Sequence, residues 1–233
     1  REILQRLCDM AKGRGASFAD ARVYEADYTG ITRQDGRADK LDQGSTSGLG
    51  VRVLKDHAWG FACASDVNSD SATEALDAAM AMAEASSARS EEAMVAEVEG
   101  IEDTVAAQYE IDPRSVGVER KMAALEGFEK AALTLIGDKL ANSILSYADR
   151  VQREIVCNTF GACVETETVR TRLHSLFVVR DGGLLQRGTK VIGSPVGFEF
   201  VEGTDPEEFS IKAARLALSL LSAAPPPAGK FPV

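Results

Sequence analysis

The sequence predicts an α+β fold: antiparallel sheets with flanking helices, in the order helix, strands, helix, helix, strands, helix. Three observations predict it. Apolar residues recur with the helical three–four spacing in separated segments. Between those segments strand patterns come in consecutive runs, which argues against a doubly wound parallel sheet. At 45% hydrophobic and 27% charged, the composition is that of a globular protein with a core to bury.

The first helix is expected over Glu2 to about Lys12, with Ile3, Leu7 and Met10 on one face and Gly13 and Gly15 ending it. Ser71-x-x-Glu74 reads as a capping box. Behind it Ala72, Ala75, Leu76, Ala79, Met80 and Ala83 keep the helical period. A third helix is expected over Ser115 to Leu140, lined by Met122, Leu125, Phe128, Ala132 and Leu135, with Gly117, Gly127 and Gly137 weakening it. A fourth is expected over Pro206 to Leu221, capped by Asp205, with Glu207 and Glu208 at the positive end of the helix dipole. A short piece over Ser90 to Glu97 is a fifth expectation.

The strand signals are Ala21 to Gln34, then a turn at Asp35-Gly36, then Ser47 to Leu54 and Trp59 to Ala64. In the later half they are Ile144 to Tyr147 and Gln152 to Cys157, divided by a turn at Ala148-Asp149-Arg150. Ala162 to Val169, Arg172 to Val179 and Leu184 to Ile192 follow. The acidic stretch Glu91 to Asp112 reads as a connector or a partly exposed strand. The 233 residues suit one large domain or two small ones. The expected organisation is one α+β domain over 1–222 with lobes at 1–100 and 112–222. A proline-rich linker over 223–233 then leads toward a further domain. The two lobes suggest a structural duplication, although no residue-level repeat is visible.

A net charge of −10 without a Lys/Arg-rich run argues against nucleic acid as a partner. No apolar run approaches the ~20 residues of a membrane span, and the N-terminus lacks a signal-peptide core. Cys8, Cys63, Cys157 and Cys163 form no C-x-x-C pair, so reduced thiols in a cytoplasmic protein are expected.

Catalytic motifs are mostly absent. Gly48-Leu49-Gly50 and Gly13-Arg14-Gly15 both lack the third glycine of a dinucleotide fingerprint. Gly44-Ser45-Thr46-Ser47-Gly48 has Thr where a nucleophile elbow needs Ser, and reads as a flexible turn. His57 and His174 lie 117 positions apart, without the close pair typical of zinc sites. His57 reads as a hairpin residue and His174 as a strand residue. Cys157 and Cys163 flank a turn and either meet across a hairpin or are two small buried residues. Glu165 and Glu167 share a strand face, where acid–base work would need one to be desolvated. Arg52 either faces outward or anchors a carboxylate.

Gly48-Leu49-Gly50-Val51-Arg52-Val53, Trp59-Gly60-Phe61-Ala62, Ser65-Asp66 and the alanine-rich helix behind them resemble the N-terminal half of the TldD/PmbA family. Ser146-Tyr147-Ala148-Asp149 and Asn158-Thr159-Phe160-Gly161 resemble its second strand region. Pro227-Ala228-Gly229-Lys230-Phe231-Pro232-Val233 resembles the junction with its C-terminal domain, closer to TldD-type chains.

The resemblance implies zinc metalloproteases, once labelled modulators of DNA gyrase, that process or degrade peptides in the bacterial and archaeal cytoplasm. TldD-type subunits carry His-Glu-x-x-x-His and a distant third ligand. PmbA-type subunits lack the motif and pair with TldD-type ones. In both types these features lie beyond the position matching Val233. No catalytic residue and no metal ligand is therefore assigned in this chain, and its substrate-binding residues are unknown. Zinc is expected in the full-length protein if it is TldD-type, with a peptide or unfolded protein as substrate and a homologous subunit as partner. Three readings stay open: the non-catalytic half of a TldD-type protease, the same half of a metal-free PmbA-type subunit, and a stand-alone interaction module.

Overall fold

The computed structural model describes residues 1–87, 93–96, 98–224 and 229. Helix α1 is Glu2–Gly13, followed by strands β1 (Phe18–Gln34), β2 (Arg37–Lys55) and β3 (Ala58–Ala64) and helix α2 (Ser69–Ser86). Strand β4 (Glu102–Val105) comes before helix α3 (Val118–Ile136). Strands β5 (Leu140–Asn158), β6 (Cys163–Asp181) and β7 (Leu184–Ser194) lead to the short α4 (Glu199–Glu202) and to α5 (Lys212–Leu221). The fold is α+β in the expected order. Strands β2 and β3 pair antiparallel, as do β6 and β7, while β4 runs parallel to β6.

The chain divides into two compact units. The first comprises residues 1–27, 44–108 and 150–169, and the second residues 28–43, 109–149 and 170–233. Each long strand gives one segment to each unit. In the first unit the strand order is β3-β2-β1-β5-β6-β4, and in the second β2-β1-β5-β6-β7.

In the first unit α1 and α2 cover an apolar core. The buried face of α1 is Leu4, Leu7, Cys8 and Ala11, and the expected Ile3 and Met10 flank it. Helix α2 begins earlier than expected. Its cap is Asn68, whose side-chain oxygen accepts from the Asp70 and Ser71 amides, so Ser71 lies within the first turn. Asn is as strong a cap as Ser, and the more N-terminal candidate takes the position. The small residues of α2 let it lie close on β3. A Cβ added to Gly60 would overlap the Ala79 carbonyl oxygen and sit 2.7 Å from the Ala83 nitrogen.

The later half of the chain, α3-β5-β6-β7-α5, repeats the succession helix, two long strands, short strand, helix of α1-β1-β2-β3-α2, with the small α4 inserted before α5. Here α5 lies on β7, and Gly188 plays the part of Gly60. A Cβ added there would overlap the Ala213 carbonyl oxygen and sit 2.6 Å from the Ala217 nitrogen. Gly117 and Gly137 bound α3 rather than weakening it, and Gly127 is tolerated within it. Pro206 precedes a single π-helical turn over Glu207–Ile211, where Asp205 accepts from the Glu207 amide, before α5 proper.

Strand lengths differ from expectation for one reason. Polar or exposed stretches carry no strand signal in the sequence, yet they remain paired. The start of β2, Arg37–Ser47, is almost wholly exposed, and the flexible turn expected at Gly44–Gly48 is strand. Ala148-Asp149-Arg150 is likewise strand, because Asp149 turns inward to a buried partner. The short helix expected over Ser90 to Glu97 falls largely outside the described residues, as does most of the expected linker over 223–233. The connector region contributes β4, an exposed strand.

Candidate functional site

In the first unit the residues singled out in the sequence resolve into structure. Arg52 faces outward. Its Nε donates to Asp20 Oδ2 at 2.9 Å and its guanidinium lies 4.8 Å from the centre of the Trp59 ring. Glu165 accepts from Arg153 Nε at 2.7 Å, and that hydrogen bond above all holds its carboxyl below the usual carboxylate range. It is a paired anion rather than a desolvated acid. Glu167 is also engaged, so the two do not form a free carboxylate pair. His57 sits in the β2–β3 turn with a left-handed backbone (φ 65°).

Cys157 and Cys163 are joined as a disulfide, which replaces the expectation of four free thiols. They close the β5–β6 turn Asn158–Ala162, where Asn158 Oδ1 accepts from the Phe160 and Ala162 amides. Thr159 Oγ1 accepts from the Ala19 amide at 3.0 Å. The Asn158-Thr159-Phe160-Gly161 motif is thus a self-capped turn fastened to β1. Cys8 stays free and buried, and burial pushes its thiol up to about 12, so it is not a nucleophile near neutral pH.

The second unit buries charged and polar side chains beside its apolar core. Lys121 of α3 is 1% exposed, and its Nζ donates to Asp149 Oδ2 at 2.6 Å and to Thr29 Oγ1 at 3.1 Å. Tyr147 donates to the same Asp149 oxygen at 2.5 Å. Burial, then the Asp149 charge, pushes the Tyr147 hydroxyl's pKa up, so it remains a donor. Ser146-Tyr147-Ala148-Asp149 is therefore the strand half of a buried clasp. A second clasp joins Arg33 Nε to Glu129 Oε2 at 3.2 Å, and Glu129 Oε1 accepts from Ser143 Oγ at 2.6 Å and from the Gly36 amide at 3.0 Å. Sequence reasoning missed both, because neither Lys121 nor Glu129 has a partner close in sequence. One signal was available: both fall on the apolar period of Leu125, Phe128 and Ala132.

These clasps fix α3 on one face of the second unit's strands, while α5 packs on α3 and β7. In β6, Thr171, Leu173, Ser175, Phe177 and Val179 point toward the helices and are buried. The alternate residues Arg170, Arg172, His174, Leu176, Val178 and Arg180 point away from them. A shallow depression of about 420 Å³ lies here between Arg170, Arg172, Val191, Gly193 and Pro195. His174 is half-buried. Thr189 donates to the Ser175 carbonyl, so the His174 Nε2–H donates to Thr189, at 3.0 Å. The edge segment Arg37–Gln43 of β2 is also open, and among the described residues it pairs only with β1. Its alternating charges suit an edge kept from aggregating.

The described residues bring together no group of three His, Cys, Asp or Glu suited to a metal ion. They do not fit a zinc centre, and no catalytic step is derived through one. What this arrangement offers is surface: an open sheet face and an open strand edge on a rigid support.

This α+β fold has the domain arrangement of a known peptidase family. Family models place it: residues 19–83 match PmbA/TldA metallopeptidase domain 1 and residues 111–221 match the PmbA/TldA metallopeptidase central domain. The chain belongs to the PmbA/TldD metallopeptidase family. It is 29% identical over 217 residues, 93% of this chain, to a metalloprotease of Methanocaldococcus jannaschii, and 26% identical over 216 residues to a metalloprotease of Methanothermobacter thermautotrophicus. It spans about half the length of these relatives, 47% and 46%. The fold matches a crystal structure from Thermotoga maritima described as a modulator of a DNA gyrase, with a TM-score of 0.76, 20% identity, and coverage of 98% of this chain and 50% of that one. It also matches TldE from Thermococcus kodakarensis, with a TM-score of 0.73, 15% identity, and coverage of 91% and 46%.

Proposed function

We propose that this chain is the non-catalytic, peptide-contacting part of a PmbA/TldD metallopeptidase. It would form a wall of the substrate cleft and part of a subunit interface in a cytoplasmic enzyme. The carrying observation is the pair of matches: the family's first and central domain models both fall on this chain, which reaches only half the length of its named metalloprotease relatives. The open edge Arg37–Gln43 and the open face of β6 and β7 support peptide contact, since an extended segment gains main-chain hydrogen bonds by joining a sheet edge. In this reading the supporting domain is 1–222, its lobes are the duplicated halves, and zinc is bound elsewhere in the full-length protein.

The test uses the full-length gene product, measuring bound zinc and hydrolysis of an unfolded polypeptide. Bound zinc with chelator-sensitive hydrolysis supports a TldD-type enzyme. A zinc-free product that restores hydrolysis only with a homologous subunit would identify the PmbA-type alternative. A product that ends near Val233, binds no homologous subunit and cleaves nothing would overturn the proposal and leave an interaction module. For this chain alone we expect no proteolysis and no stoichiometric zinc; one tightly held equivalent would contradict that.

A further inference from the structure

We propose that the open face of the second unit recognises an extended peptide through acidic side chains. The inference deepens the peptide reading above and rests on it. Its ground is a charge distribution that the overall composition conceals. The chain carries 36 acidic residues against 26 basic ones. Yet the outward face of β5, β6 and β7 in this unit has no carboxylate. Asn142, Ile144, Ser146 and Ala148 face outward on β5, and Arg170, Arg172, His174, Leu176, Val178 and Arg180 on β6. Register carries the same face onto β7: Arg172 is opposite Gly193, His174 opposite Val191, Leu176 opposite Thr189, Val178 opposite Arg187 and Arg180 opposite Leu185. The nearby acids are engaged elsewhere. Asp149 is buried on the helix side with Lys121, Asp181 in the β6–β7 turn accepts from Lys139 at 2.7 Å, and Asp35 of the β1–β2 turn accepts from Asn142 Nδ2 and from the Ser143 amide at the β5 end of the face.

The result is four arginines, Arg170, Arg172, Arg180 and Arg187, with no carboxylate partner among the described residues. The first unit shows that this is not a general habit of the sheet. There Arg52 pairs with Asp20, Arg22 with Glu154 at 3.2 Å, and Arg153 with both Glu25 and Glu165. Unpaired guanidinium groups on a rigid sheet are preorganised for bidentate carboxylate binding.

The spacing fits a strand-like ligand. Arg170 and Arg172 lie at one end of the face; Arg180 lies at the other, near Arg187, which is opposite Val178. The six residue steps from Arg172 to Val178 span ~20 Å, the reach of about six or seven extended peptide residues. Between the two arginine pairs lie Leu176, Val178 and the half-exposed Val191 (49%). Gly193 leaves room beside Arg172. Such a surface suits a peptide with acidic ends and an apolar middle. It lacks aromatic platforms for stacking bases, which favours a polypeptide over single-stranded nucleic acid.

The test is fluorescence-anisotropy binding to this chain. The probes are labelled extended peptides of about eight residues with glutamates at both ends and valines between them, the isosteric glutamine peptide, and a single-stranded DNA oligonucleotide. The glutamate peptide is expected to bind at least about tenfold more tightly than the glutamine peptide, with an affinity that falls as salt rises. Arg172→Gln with Arg187→Gln should remove most of that difference, while Arg52→Gln on the first unit should leave it intact. All three positions are exposed, and circular dichroism confirms that each variant is folded. If charge-reversed Arg172→Glu with Arg187→Glu still binds the glutamate peptide at full strength, the assignment is overturned. Equal binding of glutamate and glutamine peptides overturns this inference and leaves peptide contact standing. Tighter binding of DNA overturns it as well. If neither peptide binds, the full-length hydrolysis assay separates the two claims: continued cleavage of an unfolded substrate removes only the acidic-peptide inference.

Discussion

The two units share a packing device but differ in what they bury and what they leave open. In each, a glycine of the short third strand lets the last helix settle on the sheet, Gly60 under Ala79 and Ala83 and Gly188 under Ala213 and Ala217. The first unit's core is hydrophobic throughout, built from residues such as Leu4, Leu7, Val51, Val53 and Leu76. Every buried polar or charged residue of the described chain lies in the second unit, from Thr29 and Arg33 to Thr171, Ser175 and Ser210. The lesson is that the architecture itself does not require buried charge. A purely apolar core holds it in one unit. The ionic clasps of the second are an addition that fixes α3 and the strands beneath it in one register, behind a face whose arginines stay unpaired.

The clasp should give the largest effect. Lys121→Met leaves Asp149 buried without its cation and should cost about 3–5 kcal/mol in a urea titration. Adding Asp149→Leu should recover most of that loss, since a fully apolar replacement resembles the interior the first unit already uses. A double variant as unstable as the single would show that the second unit depends on its ions for more than register.

Smaller but symmetric losses are expected at the packing glycines. Gly60→Ala and Gly188→Ala each force a helix off its strand and should cost about 1–3 kcal/mol or more, by similar amounts. A large loss at one site and none at the other would break the equivalence of the units. Ser175 offers a test of opposite sign. Its hydroxyl is fully buried and finds no hydrogen-bond partner among the described residues. Ser175→Ala should raise stability, by about 1 kcal/mol at most, visible as a rise in Tm.

The smallest effect concerns pH. Burial first, and then the Arg172 charge, holds the His174 pKa below its usual value. The unfolded ring, titrating near the usual ~6.5, therefore takes up its proton before the folded ring does. Its stabilising contribution is complete above that value and is lost as pH falls toward the folded pKa. His174→Gln should remove this part of the pH dependence, measured as the difference between the two proteins' urea midpoints.

Much of the fold was legible in the sequence because period and turn chemistry act locally. The α2 repeat of alanines, the Asp35-Gly36 hairpin and the final helix all follow from such signals. The errors have a common origin. Residues whose polarity argued for a break or a surface, such as Asp149, Lys121 and Glu129, are satisfied by partners distant in sequence, which no local pattern reveals. The disulfide between Cys157 and Cys163 was open for the same reason, since a turn's closure decides whether two thiols meet. The similar packing of the two halves was hidden because what they share is a glycine and two alanines in each. The arginine face was the legible part left unread: Arg170, Arg172 and His174 already alternate with Thr171 and Leu173 in the sequence.

The central claim is that the second unit is the recognition surface and the first its structural counterpart. Amide hydrogen exchange of the chain, with and without the glutamate-ended peptide, tests it most directly. The account predicts added protection along Arg170–Ser194, in β6 and β7, with β1–β3 segments of the first unit unchanged. Protection centred on Arg52, Trp59 and β3, with Arg170–Ser194 unaltered, would contradict it.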